Sequence, residues 1–577
     1  MANPSDVLAE RFAAALGEAF GEEYADVDPV IRPSQFADFQ ANVALALAKR
    51  LGAKPRDVAA RLLEHLDVGD LCAQPEVSGP GFVNLRLLPA WVAGQVQALA
   101  ADDRLGVPSE PPRTVPIDYS APNVAKEMHV GHLRTTVVGD ALARTLEHLG
   151  HRVIRQNHVG DWGTNFGMLI EHLLSVGEDS QEARLLVDRP NDFYQAAREE
   201  FDGSSEFAAR SRQRVVSLQR GDADTMRLWH GLIDRSKAYF NRIYRMLDVT
   251  LTDDDLAGES SYNDALAGIC AELEAKGIAT VSDGALCVFL DGYTGREGKP
   301  VPLIVRKSDG GYGYATTDLA TIKHRVEDLH ADLNLYVIGA PQHLHLQMVW
   351  ETARLAGWLP PEVEVVHVQI GNVLGKDGKI LRTRSGAPIR LMSLLEEAVD
   401  RASAVLEEAR PELSEAERAG IAKEVGIGAV KYADLSVSHD SEYTFDFDRM
   451  LALTGNTGPY LQYAAARIRS MFRKSGLSPA EATGEVTLGE EAERALGLAL
   501  LEFGGVVAHV GRTYEPHRLC AYLFDLAQAF TTFYEQCPVL RAGDEAVRAS
   551  RLALCACTLA VLERGLGLLG ISAPERM

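Results

Sequence analysis

The sequence has no C-x-x-C pair, no long uncharged apolar run and no excess of basic residues, and each shortage removes a class of function. The seven cysteines, at 72, 270, 287, 520, 537, 555 and 557, are odd in number and lack the close spacing of a zinc site or a disulfide framework. Free buried thiols in a reducing compartment, the cytoplasm, are therefore expected. The longest apolar run, Leu552 to Leu562, is too short to cross a bilayer and leads into Glu563 and Arg564, so no membrane association is expected. The opening residues, MANPSDVLAERF, carry neither the basic nor the apolar region of a secretory signal. Basic residues number 58 against 81 acidic ones, a net charge of −23. That balance argues against indiscriminate nucleic-acid binding, DNA included, and leaves room for a local basic face.

What is present is an ordinary globular composition, in a chain of 577 residues that is too long for one core. Three or four domains are expected. Helical periodicity runs through 4–66, with a proline-bounded break near Pro29–Pro33, and GPGFVNLRL then alternates as a half-buried strand, Val83, Leu85 and Leu87 opposing Phe82, Asn84 and Arg86. Three prolines in 106–114 mark a linker, placing a first domain at 1–110. TVPIDYS, a loop, a helix from Val130 to Leu149 stopped by Gly150, and RVIRQN then form a strand–helix–strand unit. Parallel sheets bind ligands at the carboxyl ends of their strands. Residues 170–270 are mixed and charged, a helical insertion, after which PLIVRK, LNLYVIGA and VEVVHVQIG supply the second half of the sheet. From Leu391 onward the pattern is helical, broken by TGNTGPY. The expected fold is α/β multidomain: a Rossmann-like catalytic domain over 111–375, a connecting region over 376–450 and an all-α domain over 451–577.

The stretch KEMHVGHLRTT, 126–136, places His129 and His132 around Gly131 where that helix begins. A helix amino terminus offers unpaired N–H groups and partial positive charge, a ready anion site. Gly131 lets a flat nucleobase lie against the backbone, and the two histidines can donate to phosphoryl oxygens as charge develops. Two zinc ligands on one helix face want a spacing of four with a third ligand nearby, and neither is present here. The alternative of two polar residues that only cap a helix stays open on the tetrapeptide alone.

The longer stretch resolves it. DYSAPNVAKEMHVGHLRTTVVGDAL with HVGDWGTNFGMLI resembles the arginyl-tRNA synthetases, class I enzymes whose HIGH signature HVGH would represent. FADFQANVALALAKRLG, VSGPGFVNL, GYGYATTDLATI, YVIGAPQHLHLQ, KYADLSV, TGNTGPYLQYAAARI and the closing LLGISAPERM follow in the family's order. The resemblance implies an N-terminal additional tRNA-binding domain, a HIGH-type catalytic domain and a C-terminal anticodon-binding domain. It implies two reactions: arginine's carboxylate attacks the α-phosphate of ATP, and the terminal ribose of tRNA(Arg) takes the arginyl group. It assigns His129, His132 and Lys126 to the phosphates, and Val130, Gly131 and His343 to the rest of ATP. Asp118 and Asp318 would grip the guanidinium, Tyr314 would wall the stem, and Asn123 and Gln342 would hold the α-groups. The segment GKDGKILRTRSG, 375–386, departs from the family's KMSKS loop but keeps Lys376, Lys379, Arg382 and Arg384, the last three expected to support the triphosphate. Phe82, Asn84, Tyr460 and Arg467, with Gln462 and Tyr463, would meet tRNA through stacking and cationic contacts. His158, Gly160, Asp161 and Trp162 would shape the pocket, and His345 would face the nucleotide. Mg²⁺ is expected with ATP and not in a protein-built site; a monomer is expected. A relative that binds tRNA without charging it is the rival reading, resting on the altered loop.

Overall fold

The computed structural model describes residues 3–163, 165–295, 298–382 and 388–577. Its centre is a parallel four-stranded sheet in the order Glu364–Ile370, Leu333–Gly339, Thr114–Asp118, Arg152–Gln156. Val115 and Ile117 are fully buried and so is most of Leu333–Gly339, the two-sided cover that a parallel sheet requires. The helix Val130–Leu149 joins the two strands read from sequence and ends on Gly150, whose φ of 105° suits glycine. Its apolar face is the expected one, Leu133, Val137, Ala141, Leu142 and Leu146, but Arg134, Thr136, Asp140 and Thr145 are buried as well. The helix is covered on nearly every side, and its polar residues need partners inside the protein.

Two readings of the sequence are corrected. All of PLIVRK but its final lysine lies in Pro300–Arg306, which belongs not to the central sheet but to a separate antiparallel sheet with Ala279–Ser282 and Ala285–Thr294. Its burial alternates, Leu303 and Val305 inward and Ile304 outward, which marks a one-sided sheet. The turn Asp283–Gly284, with both φ positive at 49° and 79°, closes the first hairpin of that sheet. In the amino-terminal domain the periodicity over 4–66 conceals two three-residue strands, Ile31–Pro33 and Phe39–Ala41, that pair into a sheet with Glu76–Ser78 and Phe82–Leu85. Three residues are too few for a period of two to register.

The insertion is helical: Asn165–Val176, Gln181–Asp188, Pro190–Gly203, Ser205–Gln219 and Ala223–Leu247 enclose their own core around Phe166, Phe193, Phe207 and Leu232. Beyond Leu391–Ala409 and Glu415–Leu435, the helices Gly458–Ser475, Glu491–Leu501, Phe503–Thr513, His517–Gln536 and Glu545–Leu568 form the carboxyl-terminal domain. By composition 491–513 is long and apolar enough to cross a membrane, yet it is divided between two helices and 61 % of its most apolar window is buried in the fold. All seven cysteines are buried and unpaired.

Val130–Leu149 and Glu415–Leu435 meet across a seam of buried charge. Arg134 Nε donates to Asp434 Oδ1 at 3.1 Å, Arg134 Nη1 to the Ser441 carbonyl at 2.6 Å and Nη2 to that of Ser438 at 3.3 Å. Tyr443 lies under the guanidinium and donates to the second Asp434 oxygen at 3.1 Å. Further along the helix, Asp140 accepts from Thr250 and Arg144, while Lys431 Nζ donates to the carbonyls of Leu247 and Gly570. Burial pushes the Lys431 ammonium down to about 8. Because the Arg134–Asp434 pair has almost no solvent exposure, removing one partner leaves a buried charge uncompensated. Asp434→Ala should lower stability by about 3–5 kcal/mol, and Arg134→Met/Asp434→Leu should recover much of that loss; urea unfolding of both variants checks it.

Candidate active site

The loop after Thr114–Asp118 carries three non-glycine residues in the left-handed region, Ser120, Ala121 and Ala125, at φ of 72°, 45° and 58°. Each costs on the order of 1 kcal/mol, and neighbours hold them there. The Ala121 N–H donates to Asn157 Oδ1, that of Val124 to the Gly160 carbonyl and that of Ala125 to Ser236 Oγ. The strain shapes a loop that delivers 126–132 to the mouth of the helix.

There a cavity of about 260 Å³ opens, lined among others by Asn123, Lys126, His129, His132, Asn191 and Arg390. His129 is the N-cap of Val130–Leu149: its Nδ1 accepts the Gly131 N–H at 3.1 Å. His132 reaches back, its Nδ1 accepting the His129 N–H at 3.1 Å. The rings stand 4.2 Å apart. Burial lowers both imidazole pKa values, that of His132 to about 3 with the neighbouring His129 adding to the effect. Both rings are therefore neutral near pH 7, and a neutral imidazole whose Nδ1 accepts carries its proton on Nε2. The backbone thus fixes two N–H donors of known tautomer at a positive helix end. Capping does not exclude ligand binding: one nitrogen of each ring does the capping and leaves the other uncommitted. Gly131 has a further reason to be glycine, since a Cβ there would lie 2.8 Å from the His129 ring.

The Val130 side chain is buried in the core, and its N–H donates to the Ile389 carbonyl at 3.0 Å. That bond and Leu391 N–H to the Met128 carbonyl, 2.9 Å, fasten 389–391 along the motif. Glu127, nearly buried, holds Arg390 at 2.9 Å. Lys126 Nζ sits 5.0 Å from the ring of Tyr194, a residue of the helical insertion. In the preceding loop, Lys379 and Arg382 are exposed, Lys376 pairs with Asp446 at 3.1 Å, and Arg384 lies outside the described residues.

A second cluster of candidate residues surrounds Asp118 and Asp318. Asp118 ends the central strand and is nearly buried; its Oδ2 accepts from Arg325 at 2.9 Å. Asp318 pairs with His345 Nε2 at 2.6 Å, which gives that histidine a carboxylate as its partner. Glu259, which the sequence reading passed over, stands beside Asp318 and Asp161; burial first, then those two charges, push its carboxyl up to about 7. Its N–H donates to the Val159 carbonyl, and Asp161 holds the same turn through Ser260, so NHVGD carries Glu259 toward Asn123, which pairs with Gly160. No periodicity signals such a residue, because it lies in a loop held by other loops. Trp162 packs edge-on against Trp229, and His158 stacks on Tyr262. Tyr314, 75 % exposed, and Gln342 stand open to solvent, whereas His343 is stacked on His367, their Nδ1 atoms 3.1 Å apart. Among the described residues no three metal-ligating side chains converge.

The residues expected to meet tRNA have varied surroundings. Phe82 and Asn84 are half-buried on the outer face of their strand, and Asn84 is bonded to Gln40 and Ser78. Tyr460 packs near Phe524 with its hydroxyl 3.3 Å from Thr531, and Gln462 is fully buried, donating to the Glu424 and Ser572 carbonyls. Tyr463 is exposed on the same helix, and the Arg467 guanidinium lies 3.9 Å from the Tyr534 ring centre.

Comparison with known proteins gives one result along the whole chain. Residues 6–87 match the arginyl tRNA synthetase N terminal domain, 95–447 the catalytic domain of tRNA synthetases class I (R), and 461–577 the DALR anticodon binding domain. An arginine–tRNA ligase of Thermobifida fusca is 70 % identical over the full length of both chains, and one of Frankia casuarinae is 54 % identical over 96 % of each. The arginyl-tRNA synthetase structures of Plasmodium falciparum and Thermus thermophilus superpose over all of both chains, with TM-scores of 0.85 and 0.81 at 27 % and 25 % identity.

The imidazole of His132 should stay neutral from pH 8 down to pH 5, which histidine Cε1–H NMR shifts check. Its folded pKa lies below the unfolded value of 6.5, so the folded state binds fewer protons. The stability it contributes is full above about 6.5 and is lost as pH falls toward about 3.

Proposed function

The chain belongs to the arginyl-tRNA synthetase family, the class I ligases that join arginine to tRNA at the expense of ATP, and we propose that its own residues divide that work between the two halves of the site. Arginine's carboxylate is already a competent nucleophile toward the α-phosphate of ATP. The protein's task in the first step is to align it and to stabilise charge on the phosphoryl oxygens. His129 and His132 donate their Nε2–H groups to those oxygens, beside the helix amino terminus. Lys126 supplies the mobile cation, supported from the altered loop by Lys379, Arg382 and Arg384. Gly131 leaves room for the adenine, and His343 closes the nucleotide side.

Asp318 and Glu259, with Asp118 beneath, form the guanidinium acceptor; Tyr314 walls the aliphatic stem, and Asn123 and Gln342 hold the α-groups. A planar fork of donors needs such a spread of carboxylates, which a lysine ammonium satisfies poorly. Magnesium travels with ATP as part of the substrate. The terminal ribose of tRNA(Arg) then takes the arginyl group, with Phe82, Asn84, Tyr460, Tyr463 and Arg467 on the tRNA side and the enzyme acting as a monomer. Buried unpaired thiols fit a reducing cytoplasm. The observation that carries this assignment is the pair of neutral, tautomerically fixed imidazoles at the mouth of the cavity.

Arginine-dependent ATP–pyrophosphate exchange, run with and without tRNA(Arg), tests it directly. Exchange should appear with tRNA and vanish in Lys126→Ala. His129→Asn keeps an N-cap acceptor but loses the Nε2 donor, so activity should fall roughly 10²–10³-fold with stability retained. A variant of full activity would remove His129 from the phosphate site. Because the Glu259 carboxyl sits at about 7, it ionises as pH rises through neutrality and should strengthen arginine binding. The arginine KM should therefore fall between pH 6 and pH 8 in the wild type, and Glu259→Gln should flatten that change.

A further inference from the structure

Asp118, which the reading above places beneath the substrate guanidinium, is already in contact with a guanidinium of the protein's own. Arg325 occupies the last turn of Tyr314–Glu327 and is completely buried. Its Nη2 donates to Asp118 Oδ2 at 2.9 Å, and its guanidinium lies 4.9 Å from the Tyr336 ring centre. Among the described residues, Arg325 Nε and Nη1 and Asp118 Oδ1 have no hydrogen-bond partner. Asp318 lies seven residues earlier on the same helix, hence on the same face and about 10 Å away along the axis. One helix face thus presents an acid to the pocket and a base to the strand end behind it. The phenol of Tyr262 lies within the field of all three, raised by burial first and then lowered by Arg325 and raised by Asp118 and Asp318.

We propose that Arg325 is a positioning residue for arginine recognition: it fixes the Asp118 carboxylate at the strand end and sets a permanent positive charge against it. This rests on the guanidinium reading of that pocket. A carboxylate this deep has lost its water, and a cation in contact is what offsets the loss. Arginine suits the task better than lysine because its charge is permanent and its guanidinium lies over the Tyr336 ring. Its single bond to Asp118 is one fewer than a bidentate pair makes, so the unpartnered Oδ1 has capacity for a second donor.

Four variants test this in aminoacylation with tRNA(Arg): Asp118→Asn, Arg325→Met, Arg325→Lys and Asp118→Asn/Arg325→Met, with KM measured for arginine and for ATP and with thermal melts. Arg325→Met is expected to raise the arginine KM about tenfold or more while the ATP KM holds. The double variant should be no worse than the worse single one, because both act through one contact. A general packing role would instead depress kcat and melting temperature without this split. If Arg325→Met does not fold, Arg325→Lys carries the test through a smaller rise in arginine KM alone. An unchanged arginine KM in folded Arg325 variants, with a raised one in Asp118→Asn, overturns the proposal and leaves the pocket reading intact. An unchanged KM in Asp118→Asn overturns the pocket reading at Asp118 itself.

Discussion

The contact between Arg134 and Asp434 joins three things that the chemistry needs together. Arg134 is two residues past His132 on the motif helix; Asp434 ends the helix that leads toward the carboxyl-terminal domain; and the carbonyls of Ser438 and Ser441, which Arg134 also holds, lie just before Tyr443–Thr444. That short strand pairs with Val373–Leu374, where the altered loop begins. A buried ion pair adds little net stability over an apolar contact of the same shape, but it tolerates few other arrangements. Its worth here lies in geometry. Motif, loop and anticodon-side helices share one fixed junction, and Asp140, Thr250 and Lys431 repeat the device farther along the same helix.

From that junction the site is assembled chiefly by backbone. Residues 389–391 run along the motif through main-chain bonds, and the segments at 123–124, 157–160 and 257–259 clasp one another through theirs. The reading proposed above then leaves the ligands to side chains: Lys126, the second nitrogens of two histidines, and the acids around Tyr262. Among the acids, Asp118 has the Arg325 guanidinium behind it and Asp318 is hydrogen-bonded to His345. At the mouth of the motif helix the device is neutrality, since burial keeps both imidazoles uncharged.

Much of this was legible in the sequence where the signal is periodic or punctuated. The motif helix and the strands either side of it could be read because a twenty-residue helix repeats its pattern and Gly150 ends it. The helical insertion and the helices beyond Leu391 were legible for the same reason. PLIVRK was placed in the wrong sheet because a short apolar run does not say which strands it will pair with. The two three-residue strands near 31 and 39 carry no period at all. Within the site, spacing located the histidines, but only the fold shows that each has one nitrogen committed to the backbone. Glu259 and Arg325 were invisible for a different reason: their meaning comes from residues about 100 to 200 positions away, Asp161 and Asp118, and nothing local marks them.

The closure of the motif upon itself also bears on how these positions can change over time. The ring of His129 fills the space that a side chain at 131 would need, and its main-chain N–H is received by the residue at 132. No one of the three can be exchanged without altering what the other two meet. A larger residue at 131 becomes acceptable only after 129 has lost its ring, and a new residue at 132 must bring an acceptor of similar reach. Viable sequences at these positions form a small set connected through paired changes, so that descent through single substitutions leaves the triplet nearly as it stands.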